Sequence, residues 1–469
     1  MMNLLQVALG AVLLGGLSVK ADEFYRDTVF PKVDQPFKLV YQADEPTGTV
    51  VLKVVDLKGQ PVAEQTVELT DGRGEWELQF DRTAQYRATA EHDGRKHEIM
   101  LPVVTPKREL NFVYFGFGES DNPLDWQEFA TLYTVVPRAV QEPLRARGIK
   151  ALKWSYGGNY ISLEAEKKLG EAGVSVSPEV ARELGKKIML QNFDAARAEG
   201  WDGYGMDEFG GYIGSKSEAQ NIGFLHGIAD ANLPKEFILA AWQAGCPSAE
   251  LLGTYKDKVD FLLLESYVLE IVPEQLGLER MDHDLAGRLA DARMLDLFTA
   301  PYDSRCRVLP TIELTDSLPV REYENYLRLQ RREFPEVRGV GFFNILKEKK
   351  DHYKLVDRMC YDYFVRPVLT FQPDALVFDR YGSGKVVAAV SNIGAIDSGE
   401  VSLRLLADGQ EVARAAVPQV PAGYSRLDNR SAVEFDWSPE PGLHQVRAEL
   451  VSAPDCTVID PAVELEIWN

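Results

Sequence analysis

Residues 201–211 read WDGYGMDEFGG and set two adjacent carboxylates, Asp207 and Glu208, between glycines. Neighbouring carboxylates repel, which helps keep one of them protonated near neutral pH while the other stays charged. Such a group can deliver a proton in a transition state, and an ionised partner can attack or activate an attacker. Gly203 and Gly205 before the pair leave space for a ligand beside the backbone, and Gly210-Gly211 after it lets the chain turn away. Similar residues stand at the ends of other apolar runs. Trp154, Tyr156 and Asn159 fall at or after ALKWSYG, Trp242 and Gln243 in FILAAWQAG, and Glu265 and Tyr267 in VDFLLLESY. Glu313 falls in RVLPTIELTD, Asn344 in RGVGFFNIL, and Glu119 follows LNFVYFGFG.

Carboxylates interleaved with aromatic rings suit sugar chemistry. Glycosidic cleavage needs one carboxylic acid to protonate the leaving oxygen and a second carboxylate to attack or to activate water. The rings of Trp154, Tyr156, Tyr160, Tyr212 and Trp242 can stack on the apolar faces of pyranoses, or simply pack. The competing reading of Asp207 and Glu208 is that they cap a helix starting near Ser217, and that of Glu313 is a rim salt bridge. Glu265 and Glu119 suit structural or substrate-positioning roles.

Other chemistries lack their residues. His92, His97, His226, His283, His352 and His444 all lie away from these run ends, which argues against a metal-dependent hydrolase centre there. A serine nucleophile would need a GxSxG elbow and a histidine base. GFGESDNP is glycine-rich but has no Lys-Ser/Thr to hold phosphate. No metal and no cofactor is expected. The net charge of −21 and the absence of a basic cluster exclude nucleic acid as a partner. Cys246, Cys306, Cys360 and Cys456 are widely spaced and define neither a zinc ribbon nor a disulfide scaffold.

The elements that must position these residues follow from hydrophobic periodicity. Residues 22–106 carry short alternating runs separated by Asp-Gly and Lys-Gly turns, the pattern of an antiparallel, immunoglobulin-like β-sandwich. Residues 367–469 repeat that style as a second sandwich. Between them, residues 107–366 alternate near-continuously apolar runs with helical stretches. Eight runs are read as strands: 110–118, 151–157, 174–177, 202–210, 237–245, 259–267, 307–316 and 338–346. The stretch between the first two is read as helical to Arg147. Ser177 before Pro178 forms a cap-then-proline start for the helix that carries Val180, Leu184 and Ile188 on one face. Eight strand–helix units in this length predict an α/β fold, a closed (β/α)8 barrel of the TIM type. In such barrels working residues lie at the C-terminal ends of the strands, where these candidates fall.

With Glu208 after the fourth run and Glu313 in the seventh, the barrel resembles the large clan of retaining barrel glycosidases. The resemblance implies Glu208 as general acid/base and Glu313 as nucleophile. It departs at Asp207, where that clan carries Asn. The Asp207-Glu208 pair is similar instead to exported β-N-acetylhexosaminidases that use substrate assistance. That likeness implies that Asp207 orients a 2-acetamido group while Glu208 is the acid/base, with Tyr267 holding the acetamido oxygen and Trp242 walling the pocket. A third reading is a glycan-binding or surface-adhesion protein without turnover. The expected partner throughout is an oligo- or polysaccharide.

In the tail, VSNIG followed by AGYSRLDNRSAVEFDWSPEPGLHQVRAEL resembles the cell-adhesion-related β-sandwich domains of exported bacterial proteins, which implies a spacer or docking module. At the other end, an apolar run from Leu4 to Leu17 ahead of Val19-Lys20-Ala21 reads as a secretory signal cleaved after Ala21. The expectation is a secreted or periplasmic protein, with cell-surface association open. No other segment is apolar enough to span a bilayer.

Overall fold

A computed structural model describes residues 22–115, 128–155, 177–206, 218–244, 249–265, 306–313, 320–343, 350–381, 384–423 and 429–469. The chain divides into two compact units. Among the described residues the first comprises 22–26, 38–78 and 87–100, and the second comprises the remainder.

The strands of the N-terminal region form one seven-stranded sheet, in the order 23–26, 37–42, 73–78, 61–70, 47–56, 84–92, 95–103. Alternation builds it: in Thr47–Asp56, Val50, Leu52 and Val54 are buried while the residues between them are partly exposed. The Asp-Gly pairs make the expected hairpin turns. Asp71 and Gly72 have φ of 51° and 77°, and Asp93 and Gly94 have 46° and 76°, the left-handed pair that a type I′ turn requires.

The second unit contains a closed ring of eight parallel strands. These are β1 (Asn111–Tyr114), β2 (Leu132–Tyr133), β3 (Lys150–Ser155), β4 (Gly203–Met206), β5 (Ile238–Ala244), β6 (Phe261–Glu265), β7 (Arg307–Glu313) and β8 (Gly339–Phe343). The described helices between them are α1 (Gln141–Ala146), α2 (Pro178–Ala198), α3 (Glu218–Asp230), α4 (Ala249–Lys258) and α5 (Val320–Glu333), with α6 (Lys350–Cys360) after β8. Ser177 caps α2 through its hydroxyl, which accepts from the Val180 amide at 3.3 Å, with Pro178 at the first helical position.

The registers fix the geometry of the ring. Val113 pairs with Leu132 and that with Lys150; Leu152 pairs with Gly203 and that with Ile238. Ala240 pairs with Phe261 and that with Arg307; Thr311 pairs with Gly341 and that with Val113. Between these four runs the register steps two residues along β3, two along β5 and four along β7, a circuit of eight. Eight strands with a shear of eight define the (β/α)8 barrel, whose interior is packed with side chains.

Two strand assignments need correction. The second strand is Leu132–Tyr133, inside the stretch read as helical to Arg147, and the run 151–157 supplies the third strand. Strand β3 pairs directly with β4, so no strand stands between them. Ser177 is a helix cap, and 174–176 lie outside the described residues. The total of eight is unchanged, and the fourth and seventh strands keep their numbers.

A repeated contact secures the start of the strands. The Thr131 hydroxyl accepts from the Phe112 amide at 2.9 Å, Asp202 from Ala151 at 3.0 Å, and Asp260 from Leu239 at 2.8 Å. Each acceptor immediately precedes one strand and holds the amide of the second residue of the strand before it, joining β1 to β2, β3 to β4, and β5 to β6. At the fourth pair Glu109 bridges Arg307 at 2.7 Å and Arg338 at 3.7 Å.

Residues beyond the barrel form two four-stranded sheets, Arg430–Glu434, Val386–Asn392, Val368–Phe378, Thr457–Val458 and Gln410–Val417, Val401–Ala407, Leu443–Ser452, Ala462–Trp468. They share one core, in which Phe371, Ala388, Val390, Leu403, Val446 and Ile467 meet. The asparagine of VSNIG is structural. Buried Asn392 accepts from the amides of Val368 (3.1 Å) and Gly394 (3.0 Å) and donates to the carbonyls of Ile396 (2.9 Å) and Val420 (3.1 Å). Buried Arg331, at the end of α5, donates to the carbonyls of Tyr363 (3.1 Å), Pro335 (2.9 Å) and Ile393, and lies 4.6 Å from the centre of the Phe364 ring.

Replacing Asp260 by Ala strands the Leu239 amide at the base of the barrel and is expected to cost about 1–3 kcal/mol, whereas Asn, which keeps an acceptor, costs less. Urea unfolding of the two variants at matched m-value measures the difference.

Candidate active site

The C-terminal end of the barrel interior is lined by aromatic side chains. Val113 and Phe115 belong to the interior cluster with Leu132, Leu152, Trp242, Leu263 and Leu309, and Trp154 packs against it. The Phe115 ring stands edge-on to Trp154, with centroids 4.3 Å apart and planes at 83°, and edge-on to Trp242 at 5.1 Å and 71°. These are favourable quadrupole geometries. Trp242 is fully buried and Trp154 is half-buried. The Trp154 indole N–H is buried without an acceptor among the described residues, and an indole nitrogen can only donate.

The glycines of the fourth strand serve this packing. A Cβ at Gly205 would stand 3.1 Å from Cε3 of Trp154 and 3.6 Å from Cβ of Thr134, so the absent side chain is the space that the indole fills. At Gly203 the neighbour is the Ile238 backbone, whose carbonyl would lie 2.0 Å from an added Cβ. The space foreseen at these two positions for a ligand is thus occupied by the protein itself. Outside the barrel, the helices that precede and follow β4 in the chain touch backbone to backbone. A Cβ at Gly227 of α3 would lie 2.0 Å from the Arg182 carbonyl of α2.

Around this aromatic layer the predicted residues fall as follows. Asp207 and Glu208 come directly after Met206, the last residue of β4, and lie outside the described residues, as do Tyr156, Asn159, Tyr267 and Asn344. Glu119, Tyr160, Tyr212, Gly210 and Gly211 lie outside them too. Glu313 is the last residue of β7, in register with Phe343, and comes two positions after buried Thr311. Glu265 is the last residue of β6, in register with Ala244 of β5 and Thr311 of β7. Gln243 pairs with Leu264. For Glu313, Glu265 and Gln243 the described part is the backbone. Of the residues singled out in the sequence, Trp154 and Trp242 are brought together, both against Phe115. Phe115 itself was not foreseen, although it sits two residues after Val113 in a run whose alternate positions face the interior.

Nucleophilic thiols find no support among the described cysteines. Cys306 and Cys360 are buried, and burial pushes the Cys306 thiol up to about 12, leaving almost no thiolate at neutral pH. Cys360 is likewise raised by burial and has the Tyr114 hydroxyl 4.0 Å from its sulfur.

Gly205→Val is expected to destabilise the barrel by about 1–3 kcal/mol by driving a branched side chain into the Trp154 indole. Trp154→Phe keeps a ring against Phe115 while removing an indole N–H that has no acceptor among the described residues, so its melting temperature should equal or exceed that of the native chain. Differential scanning calorimetry on both variants checks the pair.

No protein-family model matches the chain, and no curated protein does. Solved structures that it resembles include a Bacteroides uniformis beta-glucuronidase 2, at 9% identity and a TM-score of 0.31, over 93% of this chain and 59% of that one. A Parabacteroides merdae beta-glucuronidase matches at 11% and 0.30, over 92% and 61%. The beta-D-glucuronidase of Dictyoglomus thermophilum matches at 12% and 0.31, over 70% and 62%. The chain thus spans about three-fifths of the length of these structures, and likenesses this loose assign no activity to it.

Proposed function

We propose that the protein is an exported glycoside hydrolase that cleaves a glycosidic bond by carboxylate acid/base catalysis, with Glu208 as the acid/base and Glu313 as its partner. One observation carries this reading. In a closed ring of eight parallel strands, the seventh strand ends on Glu313 and Asp207-Glu208 directly follow the fourth. Because the interior of such a barrel is packed, substrate is confined to the mouth at the C-terminal ends of the strands, where both glutamates fall in the sequence. A carboxyl pair of this kind works by dividing labour: one group protonates the departing oxygen while the other attacks C1 or activates water. A separation of about 5–5.5 Å between the two carboxyl groups goes with retention, and about 6.5–9.5 Å with inversion. Trp154 contributes an indole N–H and a ring edge near the mouth, Trp242 supports it from below through Phe115, and Gln243, Glu265, Tyr156, Asn159, Tyr267 and Asn344 complete the sugar-binding set. Export rests on the apolar run and Val-Lys-Ala ahead of Asp22.

The aspartate at 207 favours a second reading, in which a 2-acetamido sugar supplies its own nucleophile, oriented by Asp207. Turnover of a panel of aryl glycosides, glucuronides and N-acetylhexosaminides, with poor and good leaving groups, separates the readings. Glu208→Gln is expected to lower kcat on poor leaving groups by about 10²–10⁴-fold. Glu313→Gln is expected to do so across the panel. Unchanged turnover in Glu208→Gln overturns both catalytic readings. Activity restricted to N-acetylated substrates, insensitive to Glu313→Gln and lost in Asp207→Asn, selects the second. Retention on polysaccharide without turnover by the native chain points to the non-catalytic alternative.

A further inference from the structure

The first compact unit carries a cluster that the barrel chemistry does not use. His92 ends the strand Ala84–His92, and its ring is almost wholly buried, with 2% of the side chain exposed. Its Nδ1 is 2.9 Å from the Thr49 carbonyl, an atom that can only accept, so Nδ1 bears the proton. That leaves Nε2 as the lone-pair nitrogen of the neutral ring. Nε2 faces two carboxylates: Oε2 of Glu45 at 3.3 Å and Oδ2 of Asp93 at 3.7 Å. Candidate donor atoms of the three residues lie within 4.8 Å of one another.

Three lone-pair donors converging without a positive charge between them repel. A proton on Nε2 or a cation relieves the repulsion. The 3.3 Å between Nε2 and Glu45 Oε2 matches the spacing of ligands about 2.0–2.1 Å from a tetrahedral zinc, and the exposed Asp93 carboxylate is the donor that has to move inward. The anchored Nδ1 is the contact that orients and tunes a metal-bound imidazole. Local structure holds the donors in place. Asp93 is locked at φ 46° by the hairpin turn, and the ring of Tyr41 stands edge-on to the imidazole at 5.5 Å. Gly48, at φ 148°, would place a Cβ 2.9 Å from Cε1 of His92, so only glycine admits the ring there. The two carboxylates are exposed, at 51% for Glu45 and 73% for Asp93, which leaves an approach for the ion and a place for water on it. Arg95, the nearby guanidinium on the following strand, is engaged by Asp22 at 3.0 Å.

The geometry points to Glu45, His92 and Asp93 as a binding site for a divalent transition-metal ion, with one nitrogen and two oxygen ligands and solvent completing the coordination. The imidazole selects zinc, nickel, cobalt or copper over calcium and magnesium, which prefer all-oxygen sets.

Titration of the metal-free full-length chain with zinc chloride by calorimetry, and with cobalt(II) by visible absorption, tests it. The expected result is one saturable ion per chain, a cobalt spectrum of four- or five-coordinate intensity, and no response to calcium. The exposed pair Glu45→Gln and Asp93→Asn preserves shape, and Asn tolerates the left-handed backbone at 93. Together they are expected to weaken zinc about tenfold or more without changing the far-ultraviolet circular dichroism, while His226→Gln, at an exposed histidine of α3, leaves binding intact. Absence of a saturable zinc site in the native chain, or zinc affinity unchanged in the double variant, overturns the proposal and leaves Nε2 protonated between the two carboxylates.

Discussion

A parallel barrel exists only while every strand is paired on both sides, and here that condition is narrowest at a two-residue strand. Leu132 and Tyr133 set the register between β1 and β3, and the main chain of Thr131 and Thr134 on either side bonds to Phe112, Tyr114 and Lys150. Lost main-chain pairing at that point would expose two strand edges in a sheet that has none. The surroundings reinforce this short link. Thr131 binds the Phe112 amide and carbonyl through its hydroxyl, and the carboxylate of Asp357 on α6 accepts the amides of Glu128 and Phe129 at 2.9 and 3.0 Å. Tyr133 itself is buried beside Tyr114. A helix from the end of the ring thus holds the chain just before its weakest strand.

Closure with a shear of eight has a direct bearing on where chemistry can occur. It narrows the barrel until side chains fill it, so the centre has no room for substrate. Phe115, Trp154 and Trp242 form the upper part of that filling. The glycine at 205 exchanges a side chain on β4 for the indole of the neighbouring strand, which places that ring against the strand that leads into Asp207. The fourth strand is also held from outside, where glycines let α2 and α3 meet at backbone distance. Precision at the mouth is inherited from this packing on both sides of one short strand.

What the sequence made legible, and what it did not, follows from length and from burial. Long apolar runs such as VDFLLLESY and RVLPTIELTD announce strands because burial on both faces removes the need for polar alternation. Two residues offer no period at all, so Leu132–Tyr133 was absorbed into a helical reading. VSVS alternates like a strand, yet its final serine serves as a helix cap, a role that needs only one hydroxyl and a following proline. Glu313 could be placed at a strand end because its strand is long, and its strand keeps the number seven because the missed strand at 132–133 and the one read at 174–177 offset in the count. Phe115 escaped notice because LNFVYFGFG is apolar at nearly every position, and only pairing shows which alternate set faces inward. The His92 cluster was invisible for a different reason: Glu45 and His92 are distant in sequence and meet only through the pairing of strands.

The buried guanidinium of Arg331 changes what the C-terminal sandwich is. A tethered spacer would be joined to the barrel by little more than covalent chain, whereas here a helix of the barrel commits a cation to the Ile393 carbonyl of the sandwich, and Arg328 reaches the Ile459 carbonyl at 3.0 Å. The main chain adds Thr105 to Ala395 and Ala395 to Val365, at 2.9 and 3.1 Å. An arginine can be dehydrated at that depth only when all of its carbonyl partners are in place, and burial already draws its pKa well below the ordinary value. Barrel and sandwich therefore share hydrogen bonds that neither can make alone. A barrel severed from its sandwich would leave the Arg331 guanidinium without its Ile393 acceptor.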